Sequence, residues 1–170
     1  FLRLFILLVF PFNGMNAQEL PDISSIPIDL VVPDATVNSP SAGRRIKQTT
    51  PGWENTDVYH VLYLPKNWKA GVRFPVIAEY AGNGKFLDKY GDSCNGKPEG
   101  CSLGYGLSGG SDFIWVCLPF VKIDKGVRSN AINWWGDVEE TKRYAIATLG
   151  YLARTFGADT TRVILAGFSR

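Results

Sequence analysis

Asp159-Thr160-Thr161-Arg162-Val163-Ile164-Leu165-Ala166-Gly167-Phe168-Ser169-Arg170 is the stretch on which the fold turns. Arg162 to Ala166 reads as a buried strand, and it runs directly into Gly-x-Ser. In a Gly-x-Ser-x-Gly turn a strand passes sharply into a helix. The serine then sits strained and exposed at the carboxyl end of a sheet, and small flanking residues keep the turn free of clashes. The closing glycine of that pattern would follow Arg170. An ordinary turn after a strand is the plainer alternative for the same three residues, because short motifs also match by chance.

The preceding residues supply what such a turn needs. From Asp137 to Phe156, apolar Val138, Ala145, Ile146, Leu149, Leu152 and Ala153 recur at helical spacing, with Asp137 placed as the amino-terminal cap and Gly157 as the stop. Such a helix spans roughly 30 Å, enough to cross one face of a sheet. A short loop, Ala158 to Thr161, then leads into the strand. Upstream, Val58 to Leu64 and Pro75 to Tyr80 are rich in β-branched and aromatic residues and predict an antiparallel pair at the sheet edge. Phe113 to Val121 is almost wholly apolar, as a strand of a parallel sheet covered on both faces would be. The expected class is α/β, a three-layer sandwich with a mostly parallel sheet.

With these pieces in this order, residues Asp57 to Arg170 resemble the amino-terminal half of an α/β-hydrolase, in the manner of secreted serine esterases and depolymerase-like enzymes. The resemblance implies that Ser169 is the nucleophile and that one oxyanion donor is the Arg170 backbone NH. The second donor would come from the loop after the strand at Pro75 to Tyr80, at Gly82 or Asn83. Ala81 stands where the family commonly has the histidine of His-Gly-Gly, which removes a side-chain brace and leaves the backbone donors. The implied activity is carboxylic ester hydrolysis by acyl transfer on a small-molecule or polymeric ester, with no cofactor and no metal. A serine peptidase of the same fold, or a secreted binding module that keeps the scaffold without the triad, are the alternatives.

A serine hydroxyl needs a positioned base. The single histidine, His60, lies inside the first strand, between Tyr59 and Val61, and reads as a structural residue. The family order is serine, acid, histidine, so the base and acid are expected downstream of Arg170, and the stretch by itself is expected to be inactive.

Arg3 followed by apolar Leu4 to Phe12 and then Asn13 to Ala17 reads as the remainder of a signal peptide spanning residues 1–17, which predicts a secreted or periplasmic protein. A dozen apolar residues are too few for a membrane span. Residues 18–56, rich in Pro, Ser, Thr and Asp, predict an extended arm in which Ile23 to Val32 could add a strand, and residues 57–170 the hydrolase-like domain. Export predicts a disulfide between Cys94 and Cys101 across the Gly- and Pro-rich Asn95 to Gly100, with Cys117 a buried free thiol. Three cysteines without a fourth ligand argue against structural zinc.

Gly104-x-Gly106-x-x-Gly109 has dinucleotide-loop spacing but precedes a strand, so a flexible loop is expected. Trp134-Trp135 are expected to pack, with an aromatic wall for an acyl or sugar group as the minority alternative. The balance of 18 basic and 16 acidic residues, with no basic run longer than Arg44-Arg45, points away from nucleic acid.

Overall fold

The computed structural model describes residues 20, 22, 25–27, 29–91 and 93–169. The signal peptide expected at residues 1–17 and the expected oxyanion donor Arg170 lie outside the described residues. In chain order the elements are β1 (Ala35–Thr36), β2 (Arg45–Gln48), β3 (His60–Tyr63), β4 (Phe74–Tyr80), β5 (Phe86–Leu87), β6 (Ser93–Cys94), α1 (Leu103–Ser108), β7 (Ile114–Leu118), β8 (Phe120–Asp124), β9 (Val127–Ala131), α2 (Val138–Phe156) and β10 (Ala158–Gly167).

Six strands form one sheet in the order β1-β2-β3-β7-β4-β10. The β1–β2, β7–β4 and β4–β10 pairs are parallel, while β3 runs antiparallel to both β2 and β7. The class is therefore α/β with a mixed, mostly parallel sheet. Strand side chains alternate between faces. Leu62, Val76, Ala78, Ile114 and Val116 pack with Tyr144 and Leu152 of α2 on one face. On the other, Val61, Tyr63, Ile77, Trp115 and Cys117 pack with Tyr105 of α1. Burial of both faces explains why β3, β4 and β7 read as near-continuous apolar runs.

Several expectations are corrected. β3 and β4 are not neighbours: β7 lies between them, and the antiparallel partners of β3 are β2 and β7. Part of the expected arm is built into the sheet, as β1 and β2, whereas none of the described residues between 23 and 32 forms a strand. The run Phe113 to Val121 is two strands, because Pro119 has no NH to continue the ladder; β8 leaves the sheet and pairs with β9 across a Lys125-Gly126 turn with both residues at positive φ. Gly104 to Gly109 is no flexible loop, since α1 occupies Leu103–Ser108 and Gly109 (φ 58°) ends it.

The expected loop at Ala158 to Thr161 is a bulge within β10, where the register with β4 slips between Asp159 and Val163. Asp159 holds the bulge: Oδ1 accepts from the Thr161 NH and hydroxyl at 3.1 and 2.7 Å, and Oδ2 accepts from Arg162 Nε at 2.7 Å. Beyond it, Val163, Ile164 and Leu165 are exposed rather than buried, because β10 has a single neighbour, β4.

The helix α2 follows its expected bounds and part of its expected face: Leu152 is buried, and Ala145 and Leu149 pack against the core. Its buried stripe is Thr141, Tyr144, Thr148 and Leu152, and Val138 and Ile146 face outward. The threonines are tolerated inside because they are bonded: Thr141 Oγ1 accepts from the Val121 NH at 2.8 Å, and Thr148 pairs with Thr50 at 2.6 Å. At the start, Asp137 Oδ1 accepts from the Glu140 NH at 2.9 Å. At the end, Gly157 adopts φ 76°, and a Cβ there would collide with the Val72 carbonyl. Asp137→Ala is expected to cost about 1 kcal/mol in urea unfolding. Gly157→Ala should cost more, since it meets both the backbone clash and the left-handed conformation; equal losses would contradict this account.

Candidate active site

Because β4 and β10 are parallel neighbours, their carboxyl ends, Tyr80 and Gly167, lie side by side. The Phe168 NH donates to the Tyr80 carbonyl at 3.3 Å, so the chain turns immediately after β10. Ser169 follows in the left-handed region, with φ 64°, and is exposed. A non-glycine residue at positive φ is uncommon and marks local strain.

The Ala81–Gly84 loop lies against this turn. A Cβ on Gly82 would stand 2.7 Å from the Phe168 ring, 2.8 Å from the Phe168 carbonyl oxygen and 3.2 Å from Ser169 Cβ, so only glycine fits there without displacing the turn. The structure thus brings Gly82 and Ser169 together. The Asn83 side chain points elsewhere. Its Oδ1 accepts from the Trp134 NH at 2.7 Å, while the Gly84 NH donates to the Ile132 carbonyl at 2.7 Å. These bonds tie the loop to the segment between β9 and α2. Trp134 and Trp135 themselves are exposed, contrary to the packing expected of them.

Below the loop is a cavity of about 270 Å³, lined by Ala81, Gly82, Ser93, Cys94, Leu103 and Phe168 among others, with Glu79 at its base. It sits where adjacent strands send their connections to opposite faces, β4 to α1 and β7 towards α2. Ligands bind in crevices of this kind in open α/β sheets.

Glu79 is the residue that sequence reasoning missed. It is 2% exposed, and its two oxygens collect four N–H donors. Oε1 accepts from the Ser102 and Leu103 NH groups at 3.0 and 3.1 Å; Oε2 accepts from the Gly104 NH at 2.8 Å and from Trp115 Nε1 at 2.9 Å. Gly104 permits this, since a Cβ there would collide with the indole of Trp115. On the same face Arg45, 4% exposed, lies 4.6 Å from the Trp115 ring centroid. Its Nη2 donates to the Pro98 and Cys101 carbonyls at 3.1 and 2.9 Å and to Cys117 Sγ at 3.5 Å. The available signal was an acidic residue inside an apolar strand, Val-Ile-Ala-Glu-Tyr, because a buried charge is tolerated only where it is paired and hydrogen-bonded.

Donor atoms of Glu79, Cys101 and Cys117 lie within 4.8 Å of one another. Proximity alone would suit a soft metal, but the Glu79 lone pairs are already engaged and a guanidinium stands beside Cys117. The trio is better described as part of a buried polar network. The expected Cys94–Cys101 disulfide is not formed; all three cysteines are free thiols. Cys94 is held on β6 opposite Phe86, and the Asn95 side chain packs against Gly100 in the intervening loop.

His60 is fully buried under α2. Its Nε2 contacts the Gln48 amide nitrogen at 3.1 Å and its Nδ1 the Tyr144 hydroxyl at 2.8 Å. With Gln48 donating to Nε2, the ring proton resides on Nδ1 and is given to Tyr144. Both nitrogens are occupied, and burial holds the pKa down to about 3, so His60 is a neutral structural residue. Among the described residues no helix is long and apolar enough to cross a membrane. No protein family, curated protein or solved structure matches the chain.

The titration of His60 has a definite sign. An unfolded histidine protonates near pH 6.5, whereas folded His60 resists protonation down to about pH 3. Its contribution to stability is therefore complete above pH 6.5 and is lost as pH falls from there towards 3, by at most about 1.4 kcal/mol per pH unit. Urea unfolding between pH 7 and pH 5 should show this slope, and His60→Gln should flatten it.

Proposed function

We propose that this chain contains the amino-terminal part of an α/β-hydrolase and that Ser169 is the nucleophile of a carboxylic ester hydrolase. The observation that carries the proposal is the backbone of Ser169: φ 64° immediately after a parallel strand, exposed, and pressed against Gly82 of the neighbouring strand's loop. That combination suits a nucleophile elbow, in which strain presents the hydroxyl above the sheet. The closeness of strand, turn and glycine loop supports the same reading, since acyl transfer needs a nucleophile and oxyanion donors side by side.

In the proposed reaction Ser169 Oγ attacks the ester carbonyl carbon, and its proton passes to a histidine downstream of Arg170, oriented by an acid also downstream. The carbonyl oxygen takes up negative charge and is stabilised by the NH of Arg170 and by NH groups of the Gly82-Asn83 loop, each such donor being worth about 3 kcal/mol. Collapse expels the alcohol, protonated by the histidine, and leaves an acyl-serine that water hydrolyses by the reverse sequence. The cavity bordered by Ala81, Gly82, Leu103 and Phe168 would receive one arm of the ester. No cofactor enters this chemistry. Export through residues 1–17 belongs to the same proposal.

The test is a fluorophosphonate probe applied to the protein together with the residues that follow Arg170. Labelling should map to Ser169 and vanish in Ser169→Ala. Intact, folded protein left unlabelled at Ser169 would instead favour a non-catalytic binding module. Gly82→Ala is expected to lower kcat/KM by about tenfold or more, equivalent to at least about 1.4 kcal/mol of transition-state stabilisation, because the added methyl must displace the turn that carries Ser169. An unchanged kcat/KM would mean that the Gly82 contact does not position the nucleophile.

A further inference from the structure

We infer that Cys101 forms its disulfide with Cys117 rather than with Cys94 when the protein meets a small-molecule disulfide oxidant, and that this bond stiffens one wall of the cavity beside Ser169. The inference concerns the thiols themselves and does not require the hydrolase proposal.

Three observations support it. First, the Cys101 and Cys117 sulfurs lie within 4.8 Å of each other, and both residues are buried. A disulfide needs the sulfurs at about 2.05 Å, so closing the pair requires the two side chains to rotate towards each other. Second, Arg45 fixes both members from one side: Nη2 donates to the Cys101 carbonyl at 2.9 Å and to Cys117 Sγ at 3.5 Å. Third, Cys94 is held by its backbone, with its thiol free on the wall of the same cavity. It pairs with Phe86 in the β5–β6 hairpin, and Asn95 Oδ1 accepts from the Lys97 NH at 2.8 Å while its side chain packs on Gly100, which leaves the loop's own structure between Cys94 and Cys101.

Of the two buried thiols, access favours Cys101 over Cys117 as the one that reacts first. It borders the 270 Å³ cavity and also a second cavity of about 490 Å³ lined by Pro33, Asp34, Arg45 and Glu99, whereas Cys117 lines neither. With oxidised glutathione, the Cys101 sulfur attacks one glutathione sulfur, forming a mixed disulfide and releasing the first glutathione thiol. The Cys117 sulfur then attacks Cys101 Sγ, forming the protein disulfide and releasing the second. Two protein thiols lose two protons and two electrons, and one glutathione disulfide becomes two thiols. The neighbouring Cys117 thiol, and then burial, push the Cys101 thiol up, so the first step is slow near neutral pH and quickens as pH rises.

The mechanical consequence follows from position. Cys101 directly precedes Ser102 and Leu103, whose NH groups are held by Glu79 and which wall the cavity. Cys117 lies on β7, in the interior of the sheet. Joining them ties that wall covalently to an interior strand.

The experiment uses the unmodified chain, incubated with oxidised glutathione, alkylated without reduction and digested. Cleavage after Glu99 and after Tyr105 or Trp115 places each cysteine on a separate peptide. The expected product is a Cys101–Cys117 linked pair, about 2 Da lighter than the sum of its peptides, with Cys94 alkylated or carrying one glutathione. A Cys94–Cys101 linked pair, or three alkylated cysteines after prolonged oxidation at raised pH, would overturn the assignment. Cys94→Ser should keep the linked pair, and losing it would also overturn the assignment. The oxidised chain should melt several degrees higher than the reduced one, with dithiothreitol reversing the difference; identical midpoints would refute the stiffening.

Discussion

A single buried carboxylate organises the side of the sheet that faces the site. Glu79 sits near the end of the interior strand β4, and its oxygens take up three successive NH groups at the start of α1 together with the indole NH of Trp115. A helix of six residues is too short to be stable alone in water. Here its free amino-terminal NH groups find a fixed acceptor, and its position over the sheet follows from where that acceptor lies. Gly104 leaves room for the Trp115 indole against the helix backbone, and Arg45 lies over the ring. Three residues distant in sequence are thereby locked around one charge. Removing the carboxylate would leave four buried donors to be resolvated, which is why such networks tolerate partial loss poorly.

The opposite face is held by a neutral network. His60, Tyr144, Thr50 and Thr148 bond to one another beneath α2, so the helix is docked by polar contacts as well as by Leu152. The two networks have different functional meaning. The charged one shapes the cavity next to Ser169. The neutral one consumes the chain's single histidine in packing, so under the hydrolase proposal the base must come from elsewhere.

Between these layers, the turn at Ser169 depends on a close approach of two backbones. The turn after β10 lies on the loop after β4 with no room for a methyl group at Gly82. Because β4 also bears Glu79 three residues before Gly82, the cavity floor and the glycine loop share one strand, and the serine follows its parallel neighbour β10. Short connections from a parallel pair give this kind of precision, since a strand end moves little when both its neighbours are bonded.

Much of this was legible in the residues themselves. The helix at 138–156 was legible because its Asp cap, apolar spacing and Gly stop are local signals. So were β4, β7 and the Gly-x-Ser turn, since apolar runs and glycines report burial and backbone conformation without reference to partners. The order of strands, the departure of β8 at Pro119, the polar part of the inward face of α2 and the closeness of Cys117 to Cys101 were not, because each depends on which distant segments become neighbours. Glu79 shows the division most plainly. The sequence by itself determined that an acid stands inside an apolar strand, and only the tertiary structure decided what satisfies it, because its four donors come from residues 102, 103, 104 and 115, brought to it by the fold.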